Sequence, residues 1–470
     1  MPRSHLKAII ASLAMATLCA CSGAPKPAPI DGVFLIVIDT MRPDRLSCYG
    51  ATDNRTPHMD RIAASGVRFE NAESPASWTV PSMGSIMTSR FPTQLGLVER
   101  PPDRDTVFHW RDKRAQIHYT IPTGVATLAE RLDDAGFHPV AFVNQPFINA
   151  GEGFQQGFAE WCFSTAEDSI RWHDTRTPIP NIEFPRGTDL AEADELLVDE
   201  CGKWLKANAD RRPFVWVHLL RPHRPYTPLV EYLPQEFQKP GMQVPPEIRY
   251  TAEVRESDDM VGELLAAIDS TVGLKRSLVI LASDHGEEFG DHGMAGHGHS
   301  LHREVIHVPL LIAGPGIRAG QTISAYASTI DLAPTVLELV GARDKAPASF
   351  MGTSLVPLMR GGKRAAPLYS EGMLYGGTKR SVIEGGFKLM FDAQAQPQYS
   401  LFDIGRDPLE RVDVIVSQRE RATRMEAAVA EHTAQSVRDL ELAMAQTGAK
   451  ASPETERILR AMQTLGYVGK

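Results

Sequence analysis

Five short apolar runs constrain this chain more than any other feature: VFLIVID (33–39), HPVAFVN (138–144), PFVWVHLL (213–220), SLVILASD (277–284) and VPLLIAG (308–314). Each is strand-length, rich in β-branched residues, and apolar at successive positions. Such a run buries both faces of an extended chain and reads as a strand covered on both sides. Between the runs lie helical stretches such as TGVATLAERLDDAG (123–136), DLAEADELLVDECGKWLKANAD (189–210) and TIDLAPTVLELVG (329–341). Strands alternating with helices predict an α/β fold, a mostly parallel doubly wound sheet flanked by helices.

The pattern changes near residue 367. SVIEGGFKLMFD (381–392) and QYSLFDI (398–404) alternate in the manner of a small antiparallel sheet, and charged helical sequence follows to the C-terminus. The expected organisation is a large α/β domain over 33–366 and a C-terminal antiparallel subdomain with terminal helices over 367–470. A length of 470 residues accommodates both. With 43% apolar and 23% charged residues the composition is that of a globular protein, and a formal net charge of −9 gives no electrostatic case for binding nucleic acid.

The N-terminus carries Arg3 and Lys7, then an apolar run from Ala8 to Leu18, then small residues. That is the layout of a secretory signal, too short to remain as a membrane helix. Leu18-Cys19-Ala20-Cys21 resembles the bacterial lipobox, which implies a lipoprotein signal over 1–20, cleavage before Cys21 and lipidation of Cys21. A plain cleavage site is the alternative. The Pro-rich segment 21–32 would then tether the body to a membrane of the bacterial cell envelope, on the periplasmic side, with Ser22 pointing to the outer membrane. An oxidising compartment permits disulfides, and beyond Cys21 the chain holds Cys48, Cys162 and Cys201. An odd number leaves at least one unpaired within the chain, and Cys162–Cys201 is the first pair to test.

Ligands of open α/β sheets bind beyond the carboxyl ends of the strands. Asp39 ends the first run and Asp284 the fourth, with His285 directly after it. Two carboxylates and an imidazole suit a divalent cation. A third element is SWTVPSM (77–83). Thr79 just before Pro81 is either an ordinary helix cap or a nucleophile set at a helix N-terminus, where exposed N–H groups favour a tetrahedral anion.

The motifs in sequence order resemble the sulfatase family of the alkaline phosphatase superfamily. VIDTMRPDRLSCYG is similar to its opening motif, PASWTVPSMGSIMTSRFP to its nucleophile segment and HLLRPHRPYTP to its middle histidine motif. ASDHGEEFGDHG and GHGHSLHREVIHVPLLIAGPG are similar to its second metal motif and the substrate-side motif, and GFKLMFDAQAQPQYSLFDIGRDPLE to its antiparallel subdomain. The resemblance implies one divalent metal (Zn, Mn or Ca) on Asp39, Thr79, Asp284 and His285, and Thr79 as nucleophile. It implies His223 and His299 as catalytic acids at the substrate, with His297 and His218 binding it. His58, His109 and His173 read as structural.

The chain departs from the family pattern at three places. Sulfatases carry Cys or Ser, oxidised to formylglycine, in a Cys/Ser-x-Pro-Ser-Arg pattern, where this sequence has Thr79-Val80-Pro81-Ser82-Met83. Arg221 stands where many two-metal relatives have Asp, and His307 where relatives often have Arg. Superfamily members that cleave phosphoesters use threonine directly. The expected activity is therefore a metal-dependent ester hydrolase, with phosphate diesters or phosphonate-type esters favoured over sulfate esters. The alternatives are an arylsulfatase-like hydrolase, an envelope phosphoglycerol or phosphoethanolamine transferase, and an inactive glycan- or partner-binding lipoprotein. The expected substrate is a small-molecule, glycan or lipid-headgroup ester, its pocket walled by loops 98–119 and 175–189.

Overall fold

The computed structural model describes residues 29–97, 121–145, 148, 153–165, 169–174, 190–375 and 377–447. The signal and tether up to residue 28, His109, the two long loops at 98–119 and 175–189, and the last predicted helix near 457–469 lie outside these residues.

The strands of the main sheet are β1 (Gly32–Ile38), β2 (Val67–Glu73), β3 (His138–Val143), β4 (Glu160–Thr165), β5 (Ser169–Asp174), β6 (Pro213–Leu219) and β7 (Ser277–Ser283). A two-stranded ribbon, β8 (Glu288–Phe289) and β9 (Ala295–Gly296), follows β7, and the sheet resumes with β10 (His307–Val308), β11 (Leu310–Ala313) and β12 (Gln321–Ser328). Five strands run parallel in the order β7-β1-β6-β3-β4, so all five place their carboxyl ends at one pole. β5 closes one edge antiparallel to β4, and β2 with its partners β10, β11 and β12 closes the other.

All five sequence runs are strands, but the last one, in β10 and β11, runs antiparallel to β7. After β7 the chain never crosses back to the opposite pole by a helix. It stays at the carboxyl pole through residues 285–306 and descends from there, which reverses its direction. β1 lies at the centre, and every one of its seven residues is buried. Alternate side chains feed two layers: Val33, Leu35 and Val37 pack on one face with Trp216 and Met83, and Phe34, Ile36 and Ile38 on the other with Tyr250 and Leu264. This division follows from the two-residue period of a strand.

Cys162 on β4 and Cys201 on the helix Leu190–Ala207 share the second layer, yet both are free thiols, as is Cys48. The Cys162–Cys201 pair singled out for testing is thus not a disulfide in the structure. Both residues are packed as small apolar side chains, and burial pushes their thiols up.

The C-terminal subdomain is a four-stranded antiparallel meander, β13 (Leu368–Glu371), β14 (Lys379–Glu384), β15 (Phe387–Asp392) and β16 (Tyr399–Phe402), covered by the helix Arg419–Thr447. Val382, Leu389 and Leu401 meet Ala422, Met425 and Val429 of that helix in a separate apolar cluster. No described helix is long and apolar enough to cross a membrane.

Candidate active site

The pairing of Ile38 with Ser283 sets the ends of β1 and β7 side by side, so the next residues, Asp39 and Asp284, come together at the carboxyl pole. Both are fully buried. Asp284 Oδ1 accepts from the backbone N–H of His285 (2.9 Å) and Thr40 (3.3 Å), and Asp39 Oδ2 accepts from Gln145 Nε2 (2.5 Å). That leaves Asp39 Oδ1 and Asp284 Oδ2 with no hydrogen-bond partner. His285 Nδ1 donates to Gly286 O (3.0 Å), which leaves its Nε2 an acceptor facing the Thr79 hydroxyl. This nitrogen lies 3.5 Å from Asp39 Oδ1, 3.4 Å from Asp284 Oδ2 and 3.2 Å from Thr79 Oγ1.

Unpartnered buried carboxylate oxygens are costly, and two facing each other repel as well. Burial and the Asp39 charge raise the Asp284 pKa, whereas His218 and His223 hold Asp39 below its ordinary value against the effect of burial. Burial likewise lowers the pKa of His285, keeping the imidazole neutral and able to ligate. One divalent cation would satisfy all of these atoms, and the donor set fits one: two carboxylate oxygens, a neutral imidazole and a hydroxyl. A second acid and histidine group, His58 with Asp258 and Asp259, differs, because both Asp258 oxygens already accept from the N–H groups of His58 and Met59 at the start of the helix Pro57–Ser65.

Thr79 is the first residue of the helix Thr79–Thr88, with Trp78 extended before it. Its side chain caps nothing in this helix, since the capping position belongs to Trp78. Ser82 holds the helix start in place by donating to Asp284 O (2.5 Å). Met83, standing where the sulfatase pattern has Arg, is fully buried in the apolar layer. Gly286 is needed for a close approach, since a Cβ there would lie 2.2 Å from Glu304 O.

The predicted histidines divide into three groups. His218 on β6 is fully buried, its Nε2 lies 3.8 Å from Asp39 Oδ2, and neither ring nitrogen has a hydrogen-bond partner. His297 and His223 gather at the cluster: the His297 ring centre lies 4.4 Å from that of His285 and 5.1 Å from that of His223. His297 Nδ1 donates to Glu287 Oε1 (3.0 Å) and His223 Nδ1 to Arg224 O (2.7 Å), which leaves Nε2 of each ring as the outer atom. His299 instead hydrogen-bonds Glu288 Oε2 through Nε2 (2.9 Å), a contact of the ribbon rather than of the carboxylate pair. Arg221 pairs with buried Glu256, and His307 is held neutral by burial and the nearby Arg303, with Nε2 donating to Glu70 O (2.8 Å).

Three site residues escaped sequence reasoning. Gln145 sits just beyond the end of β3, where the strand-end rule that found Asp39 would also have found it. Glu287 lies two residues beyond His285 and carries no strand-end signal of its own. Tyr250, from the helix Pro246–Thr271, gave no local signal. Its hydroxyl donates to Thr40 O (2.8 Å) and accepts from Arg42 N–H (2.9 Å). It thereby clamps Thr40, which holds φ = 56°, an unfavourable value for a β-branched residue, beside the two carboxylates.

The sulfatase family model matches residues 32–342, about two thirds of the chain. The chain belongs to the sulfatase family. A second model, the C-terminal region of N-sulphoglucosamine sulphohydrolase, matches residues 290–436. Among curated relatives, N-acetylgalactosamine-6-sulfatase of Homo sapiens is 26% identical over 377 residues, 73% of this chain and 67% of that protein. Choline-sulfatase of Rhizobium meliloti (strain 1021) is 24% identical over 444 residues, 82% and 83% of the two chains. Arylsulfatase K of Gallus gallus is 34% identical over a shorter stretch, 36% of this chain and 33% of that protein.

Two solved structures share the fold with a TM-score of 0.67 each. One, in complex with a neocarrahexaose, is 19% identical and covers 86% of this chain and 93% of its own. The other, in complex with its substrate D-glucosamine-2-N,6-O-disulfate, is 20% identical and covers 87% of this chain and 98% of its own. This sulfatase-family chain is thus an ester hydrolase by family, with the mostly parallel sheet and small C-terminal antiparallel sheet of its relatives.

Proposed function

We propose that the protein is an exported, lipid-anchored hydrolase that cleaves phosphate diesters or phosphonate-type esters through Thr79. The observation that carries this reading is Thr79 Oγ1 itself, buried at a helix N-terminus and 3.2 Å from His285 Nε2. Threonine is a secondary alcohol, so its oxidation gives a ketone and never the aldehyde of formylglycine. The hydroxyl must therefore serve as it stands.

Asp39, Asp284, His285 and Thr79 would hold a divalent cation, which would supply a lowered hydroxyl pKa and neutralise charge on the anion. Thr79 Oγ, its proton passed to solvent water, attacks phosphorus, the bond from phosphorus to the leaving oxygen breaks, and protonated His297 or His223 gives that oxygen its proton. Glu287 favours His297 for this step, because a carboxylate on Nδ1 fixes the tautomer and supports the imidazolium. Water then attacks the phosphothreonine and gives a proton to the now neutral histidine, restoring it, while Thr79 Oγ departs and takes back a proton from solvent. The free N–H groups at the helix start and His218 beside Asp39 complete the cradle for the equatorial oxygens. His299 remains a candidate acid only if its bond to Glu288 opens.

A second reading, sulfate ester hydrolysis, is favoured by the names of the relatives, all of them sulfatases. Matched aryl phosphate diester, aryl phosphonate and aryl sulfate substrates separate the two, with Thr79→Ala as control. The expected result is diester or phosphonate turnover that Thr79→Ala lowers by roughly 10³-fold or more while metal stays bound. Sulfate turnover exceeding the others would overturn the phosphoester reading, and a Thr79→Ala protein of undiminished rate would overturn the nucleophile.

A further inference from the structure

β1 enters the sheet at one pole and delivers Asp39 at the other. Its entrance is fixed: Ile30 is buried, Arg212 Nη2 donates to Ile30 O (2.9 Å), and Asp31 N–H donates to Arg276 O (2.8 Å) while its carboxylate pairs with the Arg276 guanidinium. Seven strand residues span about 23 Å, so the point where the chain joins the body and the carboxylate cluster are at opposite ends of the sheet. Helix starts and histidine loops stack further residues beyond Asp39 on the far side.

Ser22 to Ile30 is nine residues, several of them proline. Fully extended, such a segment reaches about 30 Å, and as a Pro-rich helix about 28 Å. A globular body of roughly 400 residues has a radius of gyration of about 21 Å and is about 50 Å across. The tether is therefore too short to carry the body over and bring its carboxyl pole down to the plane in which Cys21 is anchored.

The surface around the entrance is consistent with a nearby membrane. Lys275, Arg276 and Arg61 are exposed there in a protein that is acidic overall, and Arg61 and Lys275 flank an open cleft lined by Ile62, Leu265 and Leu274, with Asp269 as its acidic member. Cations beside apolar side chains suit the anionic headgroup region of a bilayer.

We infer that the anchored protein stands with its entrance pole on the membrane and its catalytic mouth turned away, so that its substrate is an ester carried by a water-soluble molecule and not a lipid headgroup of the anchoring leaflet. This rests on the ester-cleaving reading above and on acylation of Cys21.

The test uses the full-length acylated protein in vesicles of phosphatidylethanolamine and phosphatidylglycerol doped with headgroup nitroxide lipid. A fluorophore is placed by Lys275→Cys at the entrance pole or by Met294→Cys at the carboxyl pole, in a Cys48→Ser background; Met294 is 56% exposed. The expected result is quenching several-fold stronger at position 275 than at 294, with the contrast lost when about 25 Gly/Ser residues are inserted after Pro29. Equal quenching with the native tether, or stronger quenching at 294, overturns the orientation. An unmodified Cys21 peptide by mass spectrometry, with protein that does not float with vesicles, overturns it through the anchor. Quenching needs no turnover, so an error in the ester chemistry would show separately, as a properly oriented protein that cleaves none of the soluble esters.

Discussion

Two clusters of acids and histidines draw on the 285–306 segment, and they are built on opposite terms. At the catalytic pole, Asp39, Asp284 and His285 turn two carboxylate oxygens and a ring nitrogen toward one point with no protein cation among them. At the junction with the C-terminal subdomain, Glu410 and Glu304 meet His302 and His292, whose rings stack at 3.6 Å, and there Lys388 Nζ sits 2.7 Å from Glu410 Oε1. The second cluster carries its own cation and is closed. The first would need an external one, which is what the proposed metal and substrate would supply, while the other holds two subdomains together with its own.

The largest expected effect breaks the first cluster. Asp284→Asn should lower turnover by more than about 10³-fold and abolish metal retention, measured by kinetics and metal analysis. Because burial and Asp39 raise the Asp284 pKa, the same change should raise the melting temperature of the chelator-treated protein. A lowered melting temperature in metal-free buffer would mean that the carboxylate stabilises the fold without a cation.

Next comes the closed cluster. Lys388→Met strands the Glu410 carboxylate in the interior and should cost about 3–5 kcal/mol in urea unfolding. Burial raises the Glu410 pKa, but Lys388 and His302 outweigh it and bring the carboxyl down to about 2. Its folded value lies below the ordinary one, so this stabilisation is present above about pH 4.5 and lost as pH falls toward about 2. The variant should lack that acid limb.

A neighbour of the closed cluster sharpens the contrast with the opposite sign. Burial pushes the Glu73 carboxyl up to about 7, despite Lys388 and Arg303 nearby. A raised carboxyl is favoured in its neutral form by folding, so its presence weakens the protein as pH rises from about 4.5 to 7. Glu73→Gln should stabilise by up to about 3 kcal/mol at pH 8 and change little at pH 4. The smallest effect returns to the site: Glu287→Gln keeps a partner for His297 Nδ1 but removes its charge, and should lower kcat about tenfold with KM and metal content unchanged.

The strands were legible because a run buried on both faces has no polar periodicity to confuse it, and β1, β3, β6 and β7 follow the apolar runs closely. Asp39, Asp284 and His285 were legible for a related reason, since a carboxylate directly after such a run emerges at the carboxyl pole. β2 and the edge strand β12 beside it were not, because VRFENAE and QTISAYAS mix polar and apolar residues and leave several of them only partly buried. Nor was the choice between His297 and His299, two residues apart, which turns on whether Glu287 or Glu288 accepts the ring N–H.

By itself the sequence determined an alternating α/β chain with Asp39, Asp284 and His285 at strand ends and, at a helix start, a Thr79 that cannot become formylglycine. Hydrophobic periodicity and side-chain chemistry are local properties, and they survive without knowledge of partners. Only the tertiary structure decided that β1 and β7 are neighbours, that Gln145 and Tyr250 reach the same point from distant segments, and that Lys388 closes one acid cluster while the other stays open. Those outcomes depend on strand order and on which buried charge finds a counterion, quantities set by packing across hundreds of residues.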